Sequence, residues 1–233
     1  MGYGMKYDNK GLTYYDETSK GELVTFSNIS DITIKNNFFK LLDNPNYIIK
    51  KFDNLDINRL ITMLTNFNEL NNNIKKTDLP LSYYMENNSI VGTVIPFYPD
   101  TTPLYTISKT RMISNLVSLY NHDEDKIRNV FCLYNDILDI FQELLDNGVY
   151  YYDSNSTNFV FSNNEVKLID FDPKRVLFDG NHKEYKFVLE GLYALIDLMT
   201  KRFFYYEEFL YFPRSIEGLR KHLVKVENKI RKR

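Results

Sequence analysis

Val149-Tyr-Tyr-Tyr-Asp-Ser-Asn-Ser-Thr-Asn-Phe-Val-Phe-Ser-Asn-Asn-Glu-Val-Lys-Leu-Ile-Asp-Phe-Asp172 is the stretch on which the reading of this chain turns. Asp153 and Asn158 stand five residues apart, directly after a long helical pattern. Asn158–Phe161 and Val166–Ile169 alternate as two short strands across Ser162–Glu165, and the second delivers Asp170-Phe171. In so Asn-rich a chain an Asp-x-x-x-x-Asn spacing is also what a capped loop would show, its side chains satisfying local backbone groups. The helix before, the hairpin within and the apolar Leu168-Ile169 approach to Asp170 add a context that such a loop does not require.

Outward from this stretch, the helix before it is expected over Lys126–Asp146. Val130, Leu133, Tyr134, Ile137, Ile140, Phe141 and Leu144 form its apolar stripe, and Asn147-Gly148 ends it. Helices are also expected over Lys109–Tyr120, over Tyr185–Thr200 and from about Ser215 onward. The N-terminal part reads differently. Glu22–Phe26, Asp31–Ile34, Phe38–Leu42 and Tyr47–Phe52 are expected as strands of an antiparallel meander, with a turn at Asp43-Asn44-Pro45-Asn46. A helix capped by Asp56 follows, with Ile57, Leu60, Ile61, Leu64 and Phe67 on one face. Leu81–Met85 and Ile90–Ile95 then form a hairpin through Glu86-Asn87-Asn88-Ser89. Pro96, Pro99 and Pro103 mark the change from strand to helix. The domain division expected is a loosely ordered segment 1–20, a β-rich lobe 21–98 and a helical lobe 99–233.

Composition sets the broad class. The 233 residues are 43% hydrophobic and 26% charged, with a net charge of −2, giving no global electrostatic signal for nucleic acid or membrane. Cys132 is the only cysteine, so no internal disulfide forms, and between Phe131 and Leu133 it reads as a buried apolar side chain. His122, His182 and His222 have no metal-ligand spacing and read as surface residues. The opening residues lack a signal-peptide core, and no apolar run is long enough for a membrane span. The expectation is a soluble, cytoplasmic protein. The basic stretch Arg220–Arg233, with Leu219, Leu223, Val226 and Ile230 in a stripe, reads as a solvated helix packed by one face.

The order Asp153…Asn158…Asp170-Phe171 resembles the catalytic loop and metal motif of the protein kinase-like superfamily, H-R-D-x-x-x-x-N followed by D-F-G. The resemblance implies an α+β, bilobal protein-kinase-like fold, with an antiparallel β N-lobe carrying one helix and a reduced helical C-lobe. It implies ATP as cofactor with Mg²⁺, or Mn²⁺ in its place, held by the hard oxygens of Asn158 and Asp170. Asp153 would orient the acceptor hydroxyl and take its proton. Tyr47-Ile-Ile-Lys50 resembles the strand motif V-A-I-K, so Lys50 would meet the α- and β-phosphates with Ile48 above the adenine. Glu69, nineteen residues on and the only carboxylate between Ile57 and Thr77, is the candidate partner of Lys50. Val94-Ile95-Pro96-Phe97-Tyr98 resembles a kinase hinge: Ile95 lines the adenine, and Pro96 C=O and Tyr98 N–H read its edge, with Val160 closing the pocket from below.

The departures are specific. Ser27-Asn-Ile-Ser-Asp31 holds no glycine where the family has a Gly-rich loop, and Tyr151 replaces the catalytic-loop His. Asn155 stands where Ser/Thr kinases carry a lysine, and Asp172 replaces the Gly of the metal motif. Only Pro173–His182 separates Asp172 from the next helix, with no A-P-E motif, and Lys174-Arg175 is placed to meet an anionic acceptor. The resemblance thus implies a probable kinase, an ATP-dependent phosphotransferase acting on a small molecule or a folded protein partner. Two alternatives stay open: a pseudokinase that binds nucleotide or scaffolds, and a kinase-like domain that transfers a nucleotidyl group.

Overall fold

The computed structural model describes residues 5–24, 37–104, 124–162, 165–203 and 214–231. The expected strand Asp31–Ile34, the Ser27–Asp31 loop, the expected helix Lys109–Tyr120 and His122 lie outside the described residues. The chain divides into two compact units. The first comprises Met1–Pro99 with Phe171–Lys174, the second Asp100–Asp170 with Arg175–Arg233.

In the first unit seven strands, β1 (Lys6–Tyr7), β2 (Thr13–Tyr15), β3 (Lys20–Leu23), β4 (Phe38–Leu41), β5 (Tyr47–Lys51), β6 (Ser82–Glu86) and β7 (Ser89–Pro96), pair in the order β1-β2-β6-β7-β5-β4-β3. From β3 to β6 every pairing is antiparallel. The sheet as a whole is mixed, because β2 lies parallel to β6, Thr13 opposite Ser82. This corrects the expectation of a purely antiparallel sheet, and it places β1 and β2 in the same sheet as the later strands. The attachment has a physical cause in side chains far apart in sequence. Tyr14 stacks on Tyr83 with ring centroids 5.3 Å apart, the Tyr83 hydroxyl donates to Asp8, and Thr13 Oγ1 donates to Leu81 O at 3.2 Å.

Alternation along β5 sends its side chains to two faces. Ile49 packs with Leu41, Tyr84 and Val94 on one face; Ile48 packs with Val24 and Ile95, against Phe38 and Phe97, on the other. The β6–β7 hairpin turns at Asn87 and Asn88, whose φ of 49° and 60° suit asparagine better than most side chains. Helix α1 (Ile57–Leu70) starts where the Asp56 side chain accepts the Arg59 N–H and buries Leu60, Met63, Leu64 and Phe67. Ile57, expected on that face, is exposed.

The second unit holds three described helices, α2 (Glu124–Asp146), α3 (His182–Phe203) and α4 (Ile216–Arg231). A three-stranded sheet orders β11 (Glu165–Leu168), β10 (Phe159–Ser162) and β8 (Thr102–Pro103), and β9 (Val149–Tyr151) pairs with β12 (Val176–Phe178). Leu133, Tyr134, Ile137, Ile140, Phe141 and Leu144 of the expected α2 stripe are all buried. Cys132 is exposed, not buried: it lies off that stripe, beside half-buried Asn135 and Asp136. Helix α4 buries Ile216, Leu219, Leu223 and Val226, and Arg220 reaches Asp139 of α2 at 2.5 Å. Of the histidines, His182 is exposed and His222 half-buried. Among the described residues no helix is long and apolar enough to cross a membrane.

Candidate functional site

Helix α2 ends in the Asn147-Gly148 turn, where Gly148 has φ 73°. Strand β9 then carries the chain to Tyr151, whose ring is buried against Phe141 at 5.9 Å between centroids. Pairing with β12 holds this strand, and Tyr152 N–H donates to Arg175 O just beyond it. The loop from Asp153 tightens at once. Asn155 N–H donates to Asp153 O, and the Asn155 side chain accepts the Thr157 N–H to start a single 3₁₀ turn, Ser156–Asn158. Asn155 is therefore occupied as a cap.

Asn158 is buried, and its geometry carries the most information. Its Nδ2 donates to Asp153 O and to the Tyr151 hydroxyl, both at 2.9 Å. A peptide carbonyl can only accept, so this contact fixes which end of the amide is nitrogen. The amide oxygen points the other way and, among the described residues, meets the Thr157 hydroxyl at 3.3 Å. The Tyr151 hydroxyl donates in turn to Asp170 O at 2.7 Å, and Ile169 N–H donates to Asn158 O. Asp153, Asn158 and Asp170 are thus joined through one buried phenol. Asp153 and Asp170 are half-buried, and no hydrogen bond or ion pair to the Asp153 carboxylate occurs among the described residues.

This donor set suits a hard cation that keeps other ligands. Mg²⁺ typically takes one or two protein carboxylates or amides and completes its shell with water and phosphate oxygens. One carboxylate and one oriented amide oxygen fit that use. No cluster of three or more His, Cys, Asp or Glu side chains able to hold a metal occurs among the described residues.

In the first unit, Ile48 and Ile95 meet in one buried hydrophobic cluster with Val24, and Phe38 and Phe97 pack against it. Sequence reading did not single out Val24 or Phe97 for that cluster. Lys50 is opposite Thr93 and Phe38, half-buried, with its ammonium 5.0 Å from the centre of the Phe52 ring. Pro96 is buried opposite Tyr47, and the Tyr98 hydroxyl bonds Asp78. Glu69 is exposed near the end of α1, and among the described residues no ion pair joins it to Lys50. Glu86 engages the neighbouring Lys51 of this strand at 2.6 Å, and also takes Lys20 at 2.9 Å and the Tyr84 hydroxyl at 2.9 Å. Burial pushes the Glu86 carboxyl up, but hydrogen bonds from Lys51, Lys20 and Tyr84 outweigh it and hold the pKa at about 2. Val160 is buried in the second unit, opposite Lys167 and Pro103. Lys174 and Arg175 are exposed.

A pocket of about 250 Å³ in the first unit is lined by Phe52–Asp56 and Asp172–Lys174. Its carboxylates are engaged locally: Asp53 accepts from Asn37, Asp56 caps α1, and Asp172 accepts the Lys174 N–H. Phe171, buried in this unit, packs edge-on against Phe67 of α1 at 5.2 Å. No family model matches the chain, and no match is found among curated proteins.

Proposed function

We propose that the protein is an ATP- and Mg²⁺-dependent phosphotransferase of atypical, protein kinase-like type, transferring the γ-phosphoryl group to a hydroxyl of a small molecule or folded protein. The observation that carries the reading is the Tyr151 phenol joining the Asp170 carbonyl to an Asn158 amide whose oxygen faces away from both its donor contacts. A capped loop needs no such link between residues 158 and 170. Further support comes from the antiparallel strands β3 to β7, with Lys50 on the central strand β5 and helix α1 next in sequence.

In this reading Asp170 and the Asn158 oxygen hold Mg²⁺, which neutralises phosphate charge when bound. Lys50 meets the α- and β-phosphates. Ile48, Ile95 and Val160 provide apolar contact to the base, while Pro96 C=O and Tyr98 N–H read its edge. Asp153 orients the acceptor hydroxyl and takes its proton as the oxygen–phosphorus bond forms and ADP leaves. The short crossing after Asp172 supports this choice of acceptor class. Pro173–Arg175 forms a 3₁₀ turn and Val176–Phe178 is paired with β9, so this stretch is already spent in structure and offers no extended peptide platform.

The pseudokinase alternative is favoured by two observations. Asn155 is consumed as a cap and Glu69 is exposed, so two charge-handling positions of an active kinase are not filled in the usual way. One experiment addresses both readings. The purified chain is incubated with ATP labelled at the α- or γ-phosphate, with Mg²⁺ or Mn²⁺, and its melting temperature is followed in parallel. The phosphotransferase reading expects γ-label transfer, and a Mg-ATP stabilisation reduced in Lys50→Ala and Asp170→Asn. Stabilisation without transfer moves the assignment to a pseudokinase, and transfer of the α-label to nucleotidyl transfer. Unchanged metal-dependent binding in Asp170→Asn removes the metal site.

A further inference from the structure

Helix α3 carries a glycine in its middle, Gly191, flanked by the buried Val188, Leu189 and Leu192. A mid-helix glycine costs helix stability relative to alanine, so its presence calls for a local reason. The reason lies in the loop that α3 packs against. A Cβ placed on Gly191 would come within 2.8 Å of Ser154 Oγ, 3.4 Å of Ser154 Cβ and 3.9 Å of Tyr152 O. These are the two residues that bracket Asp153. Ser154 is buried at 9% exposure, and among the described residues its hydroxyl finds no hydrogen-bond partner. The Ser154 side chain packs instead into the space that the missing Cβ of Gly191 leaves on the helix.

We infer that Gly191 is a positioning residue: the bare helix surface there sets the depth at which the Tyr152–Ser154 segment lies, and hence where the Asp153 carboxylate stands. The inference rests on the phosphotransferase reading for its catalytic meaning, but its geometric content does not. On one side the loop is held by Asn158 Nδ2 and Asn155 N–H on Asp153 O, and before it by Tyr152 N–H on Arg175 O. On the other it is held by contact with α3. A methyl group at 191 must displace Ser154 Oγ, and the inference is that in this buried seat the segment moves with it, turning Asp153 about its tethered carbonyl.

Gly191→Ala tests this, with Ser154→Ala as the compensating change. Ser154→Ala removes the atom at 2.8 Å and, because that hydroxyl is unbonded, sacrifices no hydrogen bond. In the full chain we expect Gly191→Ala to melt no lower than about the wild-type temperature, since alanine improves the helix, while kcat drops on the order of 10- to 100-fold, as small misplacements of catalytic groups do. KM for Mg-ATP should stay the same, and Gly191→Ala/Ser154→Ala should recover most of the lost kcat. Loss confined to KM, or a double variant that is folded but no more active than Gly191→Ala, overturns the inference. If Gly191→Ala does not fold, the double variant decides alone: folded and active supports the contact, unfolded overturns it. Backbone amide NMR shifts of residues 152–158 provide a readout independent of turnover. Shifts that move in Gly191→Ala and return in the double variant support the positioning role even if the wild type transfers no phosphate. Unmoved shifts refute it.

Discussion

Tyr151→Phe removes one oxygen atom from the centre of the candidate site and leaves the ring in place against Phe141. The phenol is buried at 1% exposure, donates to Asp170 O at 2.7 Å and accepts from Asn158 Nδ2 at 2.9 Å. Each such bond contributes about 1 kcal/mol net, and more when a buried partner is left without a substitute. Asn158 keeps its second N–H on Asp153 O, so only half of its donor capacity is stranded. The expected loss is about 2 kcal/mol, roughly a 30-fold change in the folding equilibrium, or about 4–8 °C in melting temperature for a chain of this size. Urea denaturation gives the free energy. The same measurement on Asn158→Ala and on the double variant gives the coupling, expected at about 1 kcal/mol because the two side chains share a bond. Freed from the phenol, the Asn158 oxygen is less well oriented, so half-saturation by Mg²⁺ in the ATP assay should rise several-fold. A melting shift below about 1 °C together with strictly additive single and double variants would show that Tyr151 does not organise this loop.

Asp153→Asn should leave Mg-ATP binding nearly intact and lower transfer by ~10²–10⁴-fold, measured as kcat against the nucleotide dissociation constant. Gly92→Ala should destabilise the first unit by about 1–3 kcal/mol in urea, because its Cβ would fall 2.3 Å from Lys50 O, a backbone atom of the paired strand that cannot swing aside. Glu86 has its pKa depressed to about 2 in the fold against an ordinary 4.5, so its stabilisation is complete above about pH 5 and is lost as pH falls toward 2. Up to about 3 kcal/mol is at stake. Glu86→Gln should flatten the acid limb of stability against pH, and an unchanged limb would show that its lysine partners exchange freely with water.

What was legible in the chain was what neighbours decide. The spacing of Leu60, Leu64 and Phe67 announces a buried helix face because residues three and four apart share one side, and α2 is read in the same way. The Asn87-Asn88 turn follows from the tolerance of asparagine for positive φ. The same local logic explains where two singled-out residues stand. Glu69, the only carboxylate in its window, comes two residues after buried Phe67, about 200° around the helix, and so it is exposed. Cys132 inherits nothing from its apolar neighbours Phe131 and Leu133, since consecutive helical positions point 100° apart.

What the chain concealed were contacts closed over long loops. The parallel seat of β2 beside β6 joins Thr13 to Ser82, and no pattern within either strand records the partner of the other. The site divides along the same line. The order Asp153, Asn158, Asp170 could be read directly, because it is the succession on which the resemblance to kinase-like motifs rests. What holds the three in register could not, since it depends on one phenol reaching 7 residues forward to an amide and 19 forward to a carbonyl. In the sequence Tyr151 is a departure from a histidine; in the structure it is a hydroxyl that donates and accepts at once. A neutral imidazole also carries one donor and one acceptor, on separate ring nitrogens, so the exchange of His for Tyr conserves the hydrogen-bonding inventory while changing its reach. The departure that weakened the resemblance in the sequence is therefore the contact that carries the site in the fold.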